Sequence, residues 1–243
     1  SPEPPEEPEG LEEALSRFRG SAEPLTAFRA ALEVASRFRW EVQRGAALVY
    51  LAREAIQRSS EDWVPSALED LAGVVVQIRA PEERQRTLVG VLRALSGQPG
   101  EFGWREVLER LGAVAETLEE SGLRARALGW LALARHESRD LRAGQQTLSM
   151  AAALAFQIPD LEERARVLSV LAGCAAAAGQ GSRARDLAFH ALESWESPAE
   201  TRIDSETRSA LAMGVAAGVT RERSLELFQT SANAARELPD LRL

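Results

Sequence analysis

An arginine recurs every 40 residues along this chain, at Arg44, Arg84, Arg124 and Arg164. Apolar residues keep the same step: Leu48, Leu88, Leu128 and Leu168 form one column, and Leu51, Val91, Leu131 and Leu171 another. Further columns are Leu68, Leu108 and Leu148; Val74, Val114 and Leu154; and Phe38, Ile78, Leu118 and Ile158, with Leu238 two periods later. A period of this size marks a repeat architecture, in which each unit is one supersecondary element. Each period carries two helical patterns. Leu168, Leu171, Ala172 and Ala175 follow the i, i+3, i+4, i+7 stripe of a buried helix face. Ala184, Leu187, Ala188, Ala191, Leu192 and Trp195 repeat that stripe in the next helix. Glycines at 97–100 and 179–181, with Pro81, Pro159 and Pro198, punctuate the pattern. No segment shows the period-two alternation of a strand. A two-helix unit with one apolar stripe per helix cannot bury its core alone, so neighbours must stack. The predicted fold is all-α: a right-handed two-layer superhelix, or α-solenoid, of about five helix-turn-helix repeats. It begins with a helix near Leu11–Arg19 and ends in an incomplete unit. Around residues 198–210 the columns slip by two, because Arg208 takes the place equivalent to Arg166, which predicts an insertion in one loop.

Composition narrows the class. The 243 residues are 45% hydrophobic and 27% charged, enough to bury a core and keep a charged surface, and a single Cys excludes a disulfide scaffold. No apolar run approaches the ~18 residues of a membrane span. All 29 basic residues are Arg, and with abundant Ala and Leu this points to a GC-rich, bacterial genome. The formal charge of −8 argues against a general nucleic-acid binder, whose affinity comes from neutralising phosphates. Six of the 37 acidic residues (Glu3, Glu6, Glu7, Glu9, Glu12, Glu13) lie in the first 13 positions, leaving 31 acids against 29 arginines elsewhere. Residues 1–10, SPEPPEEPEG, read as an extended polyproline-like linker or tail, and 11–243 as the repeat domain. Such a spacer fits a position after a signal peptide or membrane anchor, favouring an exported or anchored protein; a trimmed cytoplasmic chain is the alternative.

Segment 168–192 resembles a tetratricopeptide repeat. Leu168, Leu171, Ala172 and Ala175 stand where that family has its first-helix apolar and small residues. Gly179 marks the turn, and Ala184, Ala188 and Ala191 match the second helix. Looser copies begin at Leu48, Leu88, Leu128 and near Ala210. The unit is 40 residues rather than the family's usual 34, and Trp104 and Gly144 replace the alanine seen at Ala184. The resemblance implies a scaffold that binds a protein or peptide in its concave groove. It also implies that a second arginine column, Arg86, Arg126, Arg166 and Arg208, faces that groove, with Arg53 and Arg93 a couple of turns further on. Arginine grips carboxylates through paired donors, so the groove suits an acidic or C-terminal segment, or the chain's own Glu3, Glu6, Glu7 and Glu9. Ligand contact and solvated surface are both open for this column. For Arg44, Arg84, Arg124 and Arg164 the favoured role is structural: Glu83 and Glu163 precede two of them, and such glutamates from neighbouring units could hold the stack in register.

Catalytic chemistry is thinly represented. His136 and His190 are far apart, neither lies at a metal-ligand spacing, and both read as helix-surface residues. Cys174, in a small-residue helix, reads as a buried small hydrophobe. No nucleophile elbow or phosphate-binding loop occurs. Adjacent Glu69 and Asp70 point to different faces and look solvated. Trp63, Phe102 and Trp104 read as staples at helix starts, and Tyr50, Trp130 and Val170, which share a column, as core or inter-repeat packing. The chain is therefore read as non-catalytic and without a cofactor. Three rival readings stand beside peptide binding. One is a structural subunit of a larger, envelope-associated complex, held through its convex face or ends. The others are a nucleic-acid-binding helical repeat and an enzyme with its site assembled across repeats.

Overall fold

The computed structural model describes residues 11–96 and 104–194. These form ten α-helices, with no strand among the described residues: α1 (Leu11–Gly20), α2 (Pro24–Ser36), α3 (Glu41–Ile56), α4 (Val64–Val75), α5 (Pro81–Leu95), α6 (Trp104–Glu116), α7 (Ser121–Glu137), α8 (Leu141–Phe156), α9 (Leu161–Ala177) and α10 (Gly181–Ser194). The starts follow local chemistry. A proline occupies the first positions of α2, α4 and α5, where a missing N–H costs no helical hydrogen bond. Asp160 caps α9, its Oδ1 accepting from the Glu163 N–H at 2.7 Å, so α9 begins at Leu161, well ahead of Leu168, where the apolar stripe that announced it starts. Residues 1–10, the 198–210 insertion, Phe102, Trp195, Arg208 and the final unit lie outside the described residues.

Between Thr147 and Leu148, within α8, the described residues divide into two compact units. In the first, alternate helices pack side by side, α2 on α4 on α6 and α3 on α5 on α7, while sequential helices pack across the two rows. Leu48, Leu88 and Leu128 are buried between them, as are Leu51, Val91 and Leu131. Trp63, at the start of α4, meets the rings of Phe18 and Phe28 at 5.6 and 6.1 Å, tying α1 and α2 to the start of α4. Trp104 is buried as the first residue of α6. The second unit packs α10 on α9, with Leu168, Leu171, Ala172, Ala184, Leu187 and Ala188 buried.

The loops repeat as closely as the helices. Phe38, Ile78, Leu118 and Ile158 are buried just after α2, α4, α6 and α8, and each donates its N–H to the carbonyl three residues earlier. Six residues further on, the column arginine reaches back to that residue's carbonyl. Arg44 Nη2 donates to Phe38 O at 2.8 Å, Arg84 Nε to Ile78 O at 2.7 Å, Arg124 Nε to Leu118 O at 2.6 Å and Arg164 Nε to Ile158 O at 2.8 Å. The last carbonyls of a helix have no intrahelical partner, so a guanidinium here closes the end of one helix from the first turn of the next. The structural role expected of this column is present, but its partner is corrected: backbone carbonyls rather than neighbouring glutamates. A carbonyl at a fixed step of six residues recurs with the repeat whatever the neighbouring side chains are.

Glu69 and Asp70 are likewise corrected. Asp70 Oδ2 accepts from Arg29 Nε on α2 and Glu69 Oε2 from Arg110 Nε on α6, both at 2.8 Å, so the two carboxylates bind α4 to the helix on either side. They do point to different faces, and a cation waits on each.

Candidate functional site

Of the arginines expected to contact a partner, Arg53, Arg86, Arg93 and Arg126 lie on the row α3, α5 and α7. On α3 the exposed stripe is Val42, Ala46, Tyr50 and Arg53, spaced as one helix face. On α5 it is Glu82, Arg86 and Arg93, with half-buried Gly90 between the two arginines. On α7 the corresponding positions are Arg126 and Trp130, both half-buried. Arg53, Arg86, Arg93 and Arg126 thus share one layer of the first unit. Arg166 lies on α9 in the second unit, and Arg208 falls outside the described residues.

Local partners modify this face. Arg86 Nη1 donates to Glu83 Oε1 at 2.5 Å on its own helix, and Arg166 pairs with Glu162 in the same way. Exposed pairs of this kind contribute about 0.3–0.5 kcal/mol, too little to withhold the cation from a better-fitting carboxylate. The Arg93 guanidinium lies 4.3 Å from the Trp130 ring centroid, a cation–π distance. At the other edge of the row Arg19 bonds both carboxylate oxygens of Glu54 at 3.0 Å, and also the Tyr50 hydroxyl. The bonds from Arg19 hold the Glu54 carboxyl below its usual range, while a hydrogen bond with Glu54 raises the Tyr50 hydroxyl.

Tyr50 departs from the packing role expected of it, with 40% of its surface exposed. Its column gave a signal in the glycine at position 90. A Cβ there would meet Val49 Cγ2 at 2.6 Å, so α3 and α5 approach too closely to admit any side chain. Sequence reading left Gly90 out of the candidate site, because only the neighbouring helix shows what excludes the side chain.

Other chemistry is sparse. Among the described residues no cluster of three or more His, Cys, Asp or Glu is placed to hold a metal ion. His136 is half-buried near the end of α7. His190 is exposed on α10, its Nδ1 3.0 Å from Glu193 Oε2 and its ring edge-on to Phe156 at 5.2 Å. Cys174 is buried on α9. An open cleft of about 780 Å³ runs along α1 and α2, lined largely by small residues such as Ala14, Gly20, Ala27 and Ala30. No described helix is long and apolar enough to cross a membrane.

No family model matches this chain, and comparison with curated proteins and with solved structures finds no match.

Proposed function

We propose that this chain is a tetratricopeptide-like binding module, a right-handed two-layer α-solenoid that holds an acidic protein segment against the face of α3, α5 and α7 and works as a non-catalytic scaffold. One observation carries the reading: the two arginine columns have different fates. Arg44, Arg84, Arg124 and Arg164 are consumed by backbone carbonyls, whereas Arg53, Arg86 and Arg93 stand exposed in one layer beside Arg126. Holding several cations on one face of a chain whose net charge is negative favours an anionic partner over mere solubility. Arg166 and Arg208 extend the same column in sequence.

The test is affinity capture from a bacterial lysate with the wild-type chain and with Arg53→Glu/Arg86→Glu/Arg93→Glu. A partner lost from a variant that keeps its helical signal and melting temperature supports the reading. A partner retained by that variant refutes it and favours the assembly-subunit reading instead. That second reading draws on one observation: Met150, Phe156 and Phe189 on α8 and α10 are about half exposed and apolar, and patches of this type mark interfaces.

A further inference from the structure

We propose that two copies of this chain pair through the exposed face of α8, antiparallel about a twofold axis at Ala153; this goes beyond the peptide-binding reading and does not depend on it. Ser149, Met150, Ala153, Phe156 and Gln157 are exposed and share one side of α8, within the second unit. Forty residues earlier the same positions on α6 are Glu109, Arg110, Ala113, Glu116 and Thr117, exposed as well. Three charges on α6 thus give way to none on α8, and no charged residue occurs from 143 to 159. Equivalent positions of a repeat meet equivalent surroundings, so packing within the chain does not require the change. Met150 and Phe156 stay 52% and 45% exposed. The apolar surface continues onto α10, where the His190 ring lies 5.2 Å from Phe156 and 6.2 Å from the exposed Phe189.

Charge and symmetry select a second copy as the occupant. An acidic or basic partner finds no opposite charge on this face. Copies of a chain with a net charge of −8 repel one another, and a face without charge is where that repulsion is least. A twofold interface must also complement itself. Met150 stands three residues before Ala153 and Phe156 three after it, so an antiparallel copy brings its Phe156 to the level of Met150. Ser149 and Gln157 stand four residues to either side and share a level in the same way. Each layer then holds one thioether beside one phenyl ring, a favourable contact, with a small side chain next to the ring. Ala153 meets Ala153 at the axis and lets the helices approach closely. Met150, Phe156 and Phe189, each about half exposed, offer roughly 300 Å² per copy, the dry centre of an interface that buries about 800 Å² per partner.

Sedimentation equilibrium of the full chain tests the pairing, with twice the chain mass expected at about 100 μM, as for an interface of micromolar affinity. Met150→Glu and Phe156→Arg each put a charge into a dry layer and should weaken pairing about tenfold or more. Mixed together, the two variants should recover it, because the mixed dimer keeps one native layer and sets the new carboxylate beside the new guanidinium in the other. Circular-dichroism melts verify that each variant folds, as the charged residues at the same positions of α6 lead one to expect. Ala153→Cys supplies a readout that disrupts nothing. Helix axes about 9–10 Å apart put the two Cα atoms at the axis about 5 Å from one another, within disulfide reach. Mild oxidation should therefore link two chains, Cys174 being buried, whereas Ala113→Cys on α6 should not link. A wild type that stays monomeric at that concentration overturns the proposal and leaves the face to residues 195–243 or to another protein. Pairing that survives both charged variants overturns it too. So does a mixture that stays monomeric, or an Ala153→Cys chain that links no faster than Ala113→Cys.

Discussion

Replacing Arg124 with methionine tests whether the recurring arginine holds the repeat through backbone carbonyls. Methionine keeps an apolar stem over the same surface, so the change isolates the guanidinium rather than the packing of the side chain. The bond lost is Nε to Leu118 O at 2.6 Å, from a half-buried arginine to a loop carbonyl two residues past the end of α6. A hydrogen bond from a charged donor contributes about 1.5–3 kcal/mol. For a unit of this size each kcal/mol moves the melting temperature by about 2–4 °C, so a fall of roughly 3–12 °C is expected. The assay is a thermal melt by circular dichroism at 0.1 and 1 M NaCl. The acceptor is a neutral carbonyl, so the loss should be nearly the same at both salts. A carboxylate partner exposed to solvent would instead be screened over a Debye length of about 3 Å at 1 M salt. A destabilisation under about 0.5 kcal/mol, or one that disappears at high salt, refutes the carbonyl clasp. Arg86→Met, which removes an exposed pair with Glu83 on its own helix, serves as the control and should cost about 0.5 kcal/mol or less.

Other outcomes follow from the same geometry. Arg139 has φ +63°, and Gly179, 40 residues on, has φ +70° with the same pattern of turn hydrogen bonds. Arg139→Gly should therefore stabilise by about 0.5–1 kcal/mol in urea unfolding, the left-handed strain outweighing glycine's entropy, and Gly179→Ala should destabilise by about 1 kcal/mol. Gly45→Ala drives a methyl into the Thr87 hydroxyl and should cost about 1–3 kcal/mol, whereas Gly73→Ala meets nothing within 4 Å on α4 and should gain about 0.5–1 kcal/mol. Glu41 accepts N–H bonds from Arg79 and Ala80 at 2.7 and 2.8 Å, which hold its carboxyl below the usual range. The advantage of wild type over Glu41→Gln should be complete above the unfolded value near pH ~4.3 and fade as pH falls through the lower folded value. Urea midpoints measured from pH 7 to 3 check this, and an advantage that grows on acidification contradicts it.

Much of the architecture was legible in sequence because its causes are local and periodic. The columns at Leu48, Leu88, Leu128 and Leu168 define helix faces, and a face with one stripe needs neighbours. Pro81 and Pro159 marked breaks between helices by the same local logic. The column of Arg44, Arg84, Arg124 and Arg164 was equally visible, and Glu83 and Glu163 beside two of its members suggested a structural role. Its partner was not visible, because a backbone carbonyl has no residue identity and every position offers one. Glu69 and Asp70 stayed ambiguous for the opposite reason: a carboxylate can be solvated or paired, and only packing placed Arg110 and Arg29 within 2.8 Å.

The face on α3, α5 and α7 shows the same division most sharply. Sequence alone determined that Tyr50, Trp130 and Val170 occupy one repeat position and that Arg86, Arg126 and Arg166 occupy another. Tertiary structure decided that Tyr50 is exposed, that Arg93 lies over Trp130, and that the Val49 side chain fills the space a Cβ at Gly90 would take. Periodicity specifies which residues are equivalent, since that depends only on the helical repeat. Exposure, stacking and closeness depend on the distance between two helices, and that distance is a property of the side chains on both.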